Sequence, residues 1–252
     1  MNIGFSTGSL ALGDFRRAIS MQDGCGANSI ELSALREDEL FELLGALDSL
    51  NLQSFKYVSF HAPSKLFRLS EKDLIRFLRG VYDRGYNIIV HPDLIEDFEE
   101  WRVFGSLLCI ENMDKRKAIG QTALDLQNIF EKLPEASLCF DIAHAKQIDP
   151  TMLEALSIAS IFHSRISEIH ISDVNSNSQH EPLNLGSVIA FRKLRRYLDI
   201  NTPLIIESPV NLDEIPRELE MISCIFDDKK FESLMNSWGL EFNAATKLVS
   251  SH

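Results

Sequence analysis

Short apolar runs alternate along this chain with longer amphipathic ones, and the alternation recurs eight times. The runs predict strands at Ile3–Ser6, Ser29–Leu32, Tyr57–His61, Ile88–His91, Leu107–Glu111, Leu138–Asp141, Glu168–Ile171 and Leu204–Glu207. Continuous apolar strands of this kind suit a parallel sheet whose outer face is covered by helices. The segments between them carry helix signals. Ser70 precedes Glu71-Lys72-Asp73 and the apolar positions Leu74, Phe77, Leu78 and Val81, the pattern of a capping box, with Gly85 as the stop. Thr122 is placed to cap a helix through Leu124, Leu126, Ile129 and Phe130 that ends before Pro134. Asp149-Pro150 puts proline in an expected first turn ahead of Met152, Leu153, Leu156 and Ile161, and Asn211 or Asp213 is expected to start a helix through Leu219 and Ile222. The tail after Asp227 reads as an added helix whose last residues are expected to be disordered.

Eight such units with no Pro/Gly/Ser-rich linker predict an α/β fold, one (β/α)8 TIM barrel over residues 1–252 with a short C-terminal helical extension. The chain's 252 residues agree with the roughly 250 typical of that architecture. An open doubly wound sheet is the competing architecture. It would want a glycine-rich phosphate turn after its first strand, and Gly4-Phe5-Ser6-Thr7-Gly8 is neither GxGxxG nor a P-loop.

Composition narrows the class without naming a function. With 45% hydrophobic and 25% charged residues, the chain reads as an ordinary globular protein. No stretch is long and apolar enough to span a bilayer, and Ile3-Gly4-Phe5-Ser6 follows the start with no basic or long apolar leader, so a cytoplasmic location is expected. The four cysteines, Cys25, Cys109, Cys139 and Cys224, form no CxxC pair and are expected to be reduced packing residues. A net charge of −12 disfavours charge-driven binding to nucleic acid, whose main term is phosphate neutralisation by Lys and Arg.

The candidate chemistry sits where the predicted strands end. From the third strand onward each run finishes on a potential metal ligand: His61, His91, Glu111, Asp141 with His144, His170 with Asp173, and Glu207, with His180 in the loop after the seventh. A parallel barrel gathers all of its strand C-termini at one rim, so these positions converge. Imidazole and carboxylate together suit a divalent ion, zinc or manganese, with magnesium admissible to a carboxylate-rich set. One histidine at a strand end is ordinarily a hydrogen-bonded structural residue, but six successive strand ends are not explained that way. His163, in a predicted helix, and His252, at the terminus, are left outside the site.

The order of these pieces resembles the xylose isomerase-like TIM-barrel superfamily, which includes sugar isomerases and epimerases and the apurinic endonucleases of family 2. The pieces are His-Ala-Pro at 61–63, Ile-Glu-Asn at 110–112, Asp-Ile-Ala-His-Ala at 141–145, His-Ile-Ser-Asp at 170–173, His-Glu-Pro-Leu-Asn-Leu-Gly at 180–186 and Ile-Ile-Glu at 205–207. The resemblance implies Glu111, Asp141, His170 and Glu207 as a shared metal set. In the isomerase branch it implies that Glu111 and Glu207 flank the carbon that exchanges a proton, that His144 contacts substrate oxygens, and that His61 and His91 line the pocket. In the endonuclease branch it implies three zinc ions. One would be held by His61, His91 and Glu111. Glu111 would bridge to a second bound by Asp141, His170 and Glu207, and a third would sit on His144 and His180.

That third site would also use an aspartate two positions before His180, where this chain has Ser178, with Asp173 as the nearby residue that could compensate. The isomerase branch often has an arginine shortly after the strand-seven aspartate, whereas Asp173 here is followed by Val174-Asn175-Ser176. Lys115, Arg116, Lys117 and Lys146 follow strands five and six and could meet a substrate phosphate, or be solvated loop charge. A divalent-metal-dependent isomerase or epimerase of a small sugar or sugar phosphate is placed slightly first. A zinc-dependent phosphodiesterase or endonuclease-like hydrolase, with nucleic acid as its possible partner, comes second. A metal-binding barrel acting as a partner protein is third.

Overall fold

Each expected strand is formed, and each is brief because it contributes only a few residues to one barrel wall. The structure, a computed structural model, describes residues 1–239. In chain order the strands are β1 (Ile3–Ser6), β2 (Ser29–Ser33), β3 (Tyr57–His61), β4 (Asn87–Val90), β5 (Leu108–Glu111), β6 (Ser137–Asp141), β7 (Ile166–Ile171), the short β8 (Asp173–Val174) and β9 (His180–Glu181), and β10 (Leu204–Ile206). β1 to β7 lie side by side in sequence order, β10 follows β7, and β1 pairs with β10 to close the barrel, every pair parallel. β8 and β9 form a separate antiparallel ribbon on the loop between β7 and β10.

The helices are α1 (Thr7–Ala11), α2 (Phe15–Gln22), α3 (Glu37–Ala46), α4 (Glu71–Tyr82), α5 (Phe98–Trp101), α6 (Ala123–Lys132), α7 (Ile142–Ile148), α8 (Leu153–Ile161), α9 (Leu185–Phe191), α10 (Ile215–Phe226) and α11 (Asp228–Ser237). Ser70 caps α4, accepting from the Asp73 amide at 3.1 Å. Thr122 and Asp125 form the reciprocal cap of α6. Two expectations shift. Pro150 is not in a first helical turn: α8 begins at Leu153, after Met152 turns left-handed at φ 71°, and the Asp149 carboxylate accepts the Glu154 amide. The final barrel helix starts at Ile215 rather than at Asn211 or Asp213, with Pro216 in its first turn. α11 is the expected extension, and the expected disorder of the last residues falls outside the described residues, as does His252.

Alternation along the strands sorts the side chains. Ile30, Leu32, Phe60, Ile88, Val90, Ile110, Leu138, Phe140, Ile169 and Ile206 belong to the main apolar core shared with Leu74, Leu78, Trp101, Leu126 and Ile222 of the helical ring. Ile89, Cys109 and Cys139 form a small cluster of their own, apart from that core. The positions in step with them carry polar groups, with Glu31, Ser59, His61, Glu111, Asp141, Glu168 and His170 all buried. A TIM-barrel interior is ordinarily filled by branched apolar side chains. This one is largely acid and imidazole. At one point the wall itself demands glycine: a Cβ on Gly4 would stand 1.6 Å from the Ser29 carbonyl oxygen on the neighbouring strand. Among the described residues no helix is long and apolar enough to cross a membrane.

Candidate metal centre

The strand ends deliver the sequence-predicted residues to one place. His61 and Glu111 close β3 and β5, Asp141 closes β6, and His170 lies one residue before the end of β7. His91 and Glu207 stand just beyond β4 and β10, not within them as expected. His144 is carried by the first turn of α7 and His180 by the ribbon strand β9. Asn112 ties two of these ends together: its side chain accepts from the Asp141 amide and donates to the Asp141 carbonyl, each at 2.8 Å. Asp141 in turn caps α7, one carboxylate oxygen accepting the His144 amide at 2.7 Å and the other left facing the cluster.

Glu111 is the hub. His61 Nε2 and His91 Nε2 each lie 3.1 Å from its Oε2, while His144 Nδ1 and His170 Nδ1 lie 3.3 and 3.6 Å from its Oε1. Most of the imidazoles are held from behind, which fixes the nitrogen they turn forward. His61 Nδ1 donates to the Ala62 carbonyl (2.7 Å); His144 differs, its Nδ1 donating to the Asn112 carbonyl (3.0 Å) while also lying 3.3 Å from both Glu111 and Asp141. His180 Nδ1 meets the Ser172 hydroxyl at 2.8 Å, with its Nε2 3.6 Å from Glu207. His170 is turned the other way: its Nε2 is gripped by Glu168 (2.9 Å) and Glu31 (3.0 Å), and Nδ1 points to Glu207 at 3.5 Å.

At the rim three overlapping donor groups result, in each of which the ligand atoms lie within 4.8 Å of one another: His61/His91/Glu111, Glu111/Asp141/His170/Glu207 and Asp141/His144/His180; a fourth, Cys139/Glu168/His170, lies below them. Burial is nearly complete, with only His180 and, slightly, His91 reaching solvent. Within the four-residue group Asp141 Oδ2, His170 Nδ1 and Glu207 Oε2 are buried with no hydrogen-bond partner. Such orphans ordinarily cost about 1–3 kcal/mol apiece. Two acceptor oxygens and a ring nitrogen converging without a donor fit a divalent cation.

Charge in the cluster is strongly coupled. Burial works against ionising Glu111, but His91 and the contacts from His144, His170 and His61 hold its carboxyl well below the usual range. Burial likewise opposes the Glu207 carboxylate, and His170 and His180 hold it low. Asp141 goes the other way, pushed up to about 7 by burial and by Glu207 and Glu111 beside it. Burial would lower His61 and His144, yet Glu31 and Glu111 lift the first to about 9, and Asp141 and Glu111 lift the second to about 10. His61, His144 and His170 thus stand in for positive charge that the carboxylates require, whereas burial pushes His91 and His180 down.

The third group lacks the acid that the resemblance implies. Ser178, at φ 58°, donates its hydroxyl to Gln147 at 2.8 Å. Asp173 does not replace it, being held by Lys146 at 2.6 Å and by Asn184. The four rim cations are engaged as well. Lys115 donates to the Ser176 carbonyl, Arg116 Nε pairs with Asp114 (2.8 Å), Lys117 with Asp93 (2.6 Å), and Lys146 with Asp173. His163 is exposed in a short turn away from the site.

Sequence reasoning missed Glu31 and Glu168, both fully buried beneath His170. A signal was present: Glu168 precedes His170 by two positions on one strand, which puts both side chains on one face.

Residues 94–223 match the sequence model of the family described as xylose isomerase-like TIM barrel. The chain belongs to that family. The matched segment holds Glu111, Asp141, His144, His170, His180 and Glu207, and begins after His61 and His91. Among solved structures, the IOLI protein with a binding zinc atom is 13% identical with a TM-score of 0.66, over 90% of this chain and 98% of that one. A xylose isomerase domain containing protein from Salmonella typhimurium gives 15% and 0.61, covering 90% and 97%. Endonuclease IV from Thermus thermophilus gives 16% and 0.56, covering 90% and 100%. At these identities the likeness is one of fold. No curated protein matches the chain. The xylose isomerase-like family therefore supplies architecture and a generally enzymatic background, and the reaction has to be argued from the site.

Proposed function

We propose that this barrel is a multi-metal hydrolase of a small phosphoester. The observation that carries the reading is the sharing of carboxylates: Glu111 belongs to two of the donor groups, and Asp141 to two. A carboxylate common to adjacent groups holds neighbouring cations side by side, the arrangement used for in-line displacement at phosphorus. Divalent ions bound there would supply Lewis-acid activation of a phosphoryl group and of water.

Glu111, kept ionised by its four imidazoles, and Glu207, kept ionised by His170 and His180, would serve as fixed ligands rather than as proton carriers. His61 and His91 present Nε2 to one side of Glu111, and His144 and His180 serve the opposite side, next to Asp141. Partly exposed His180 marks the side from which substrate reaches the cluster, while burial of the rest limits water. Zinc is favoured by the five imidazoles, and the family relatives include the zinc-bound IOLI protein and a barrel from Mycobacterium smegmatis in complex with magnesium. A small substrate is preferred over nucleic acid because the net charge is −12 and Arg116, Lys117 and Lys146 are already paired with acids.

A second reading keeps a specific observation of its own. Three of the orphaned atoms fall in the four-residue group, which favours one ion there and proton transfer on a sugar or sugar phosphate. One experiment separates the two. The zinc- or manganese-loaded protein is assayed against aryl phosphate mono- and diesters and an abasic-site oligonucleotide, and in heavy water with a panel of ketoses and ketose phosphates. The hydrolase reading expects metal-dependent cleavage of a small ester, lost in His144→Ala, and no carbon-bound deuterium. Deuterium beside the carbonyl without cleavage would overturn it in favour of isomerisation.

A further inference from the structure

Beneath the rim, the barrel axis holds a second polar layer that no proposed catalytic step uses. Glu168 and Glu31 are both fully buried: Glu168 is hydrogen-bonded to His170 Nε2 at 2.9 Å, and Glu31 Oε2 stands 3.0 Å from the same atom at ion-pair distance, with no hydrogen-bond partner of its own. Each is braced from behind. Tyr57 donates its hydroxyl to Glu168 and itself accepts from the Asn87 amide at 2.8 Å. Glu31 accepts from Ser33 Oγ at 2.8 Å, and Ser33 Oγ lies 2.7 Å from Ser6 Oγ. The chain of contacts therefore runs from the floor of the barrel through a carboxylate pair to one imidazole, whose other nitrogen is an orphan of the metal cluster.

Two buried carboxylates on one ring nitrogen have a definite consequence. They require that nitrogen to carry the proton, because a lone pair facing two anions is repelled. With Nε2 committed to its own proton, Nδ1 is the nitrogen that would give up a proton to a cation, and the ring is oriented from behind by the Glu168 hydrogen bond with Glu31 beside it. We propose that Glu168, with Glu31 as its partner, is the positioning residue that holds His170 with Nδ1 free and aimed at the group formed by Glu111, Asp141 and Glu207. The proposal rests on the reading of that group as a metal site, and not on which reaction the metal serves.

A different reading of the same residues is that they bind an ion of their own, since Cys139, Glu168 and His170 also bring donors within 4.8 Å of one another. The surroundings oppose it. Cys139 lies in the apolar cluster with Ile89 and Cys109. His170 Nε2 is already engaged by two carboxylates.

The test is metal affinity, measured by chelator competition with zinc on the whole protein, beside thermal melting of the metal-free form. In Glu168→Gln the side chain keeps its size but has one acceptor oxygen for two donors, the Tyr57 hydroxyl and His170 Nε2–H; with that oxygen taken by Tyr57, the amide N–H faces Nε2 and favours the proton on Nδ1, which blocks the ligand. The expected result is a loss of affinity of about 10–100-fold, the range for removing an outer partner of a ligating histidine. The metal-free melt should stay cooperative, and the cobalt-loaded protein should show an altered visible spectrum. Tyr57→Phe retains the carboxylate and should lose less than about tenfold. Should Glu168→Gln fail to fold, Glu31→Gln carries the same expectation. Unchanged zinc affinity in a folded Glu168→Gln overturns the proposal while leaving the metal site standing. A wild-type protein that takes up no metal overturns both. An additional ion per chain that disappears in Cys139→Ser would assign the layer to binding and overturn the positioning role.

Discussion

Glu111→Gln is the substitution with the widest predicted consequences, because one carboxylate serves four imidazoles at 3.1–3.6 Å. In the metal-free protein, His61 and His144 hold protons up to about 9 and about 10, and Glu111 is among the causes in both cases. Removing one partner of a buried pair costs about 3–5 kcal/mol. The amide keeps one acceptor oxygen, so the lower end, about 3 kcal/mol, is the appropriate figure. For a chain of this size 1 kcal/mol corresponds to about 2–4 °C, which gives a Tm lower by roughly 6–12 °C at pH 7. The metal-loaded comparison should be more severe, since Glu111 contributes to two of the three donor groups at the rim. Loss of a mere supporting partner weakens binding by about 10–100-fold, and loss of a shared ligand should exceed that. Calorimetry with and without zinc, beside elemental analysis after gel filtration, reads both effects. A variant with the wild-type Tm and the wild-type metal content would refute the hub role.

Other consequences follow from the same geometry. Raising the pH should destabilise the metal-free protein: His61 and His144 contribute stability that is complete below about 6.5 and lost as pH passes their folded values of about 9 and about 10. Asp141, raised to about 7, adds to the decline from about pH 4 upward, whereas the low Glu111 and Glu207 remove stability only as pH falls through the acid range. Thermal melts from pH 7 to 10 should fall with pH without metal and flatten with it, because binding requires the same protons to leave, while below about 6.5 the lowered His91 and His180 act in the opposite direction; a metal-free Tm that rises from pH 7 toward pH 9 would contradict these assignments. His180→Ala should lower metal content only in the third group, leaving ions at Glu111, and equal loss of all metal would argue against separate groups. Gly4→Ala should abolish soluble expression or cost more than about 3 kcal/mol, since its Cβ would meet the Ser29 carbonyl at 1.6 Å; a normal melting curve would show that the strands can separate there.

How far the sequence could be read depended on the kind of information each residue carries. The strand pattern was legible because outward positions such as Ile30, Phe60, Ile110 and Phe140 are apolar without interruption, and the rim ligands were legible because each ends such a run. Glu31 and Glu168 were overlooked for the opposite reason. An acid inside an apolar run looks like a solvent-facing position, and only the barrel's closure turns that face inward. The partners of Lys117 and Lys146 were also out of reach, because Asp93 and Asp173 come from other loops that meet only at the rim. Met152 shows the limit of capping signals: Asp149-Pro150 looks like a helix start, yet the left-handed residue between them and Leu153 delays it.

The most direct test of the central claim is the number of ions the rim holds. Elemental analysis and anomalous diffraction of zinc-soaked crystals should find more than one ion per chain, with Glu111 bridging the His61/His91 side to the Asp141/His170/Glu207 side. A single ion on the four-residue group, at saturating zinc, would contradict the shared-carboxylate account and leave proton transfer as the better reading.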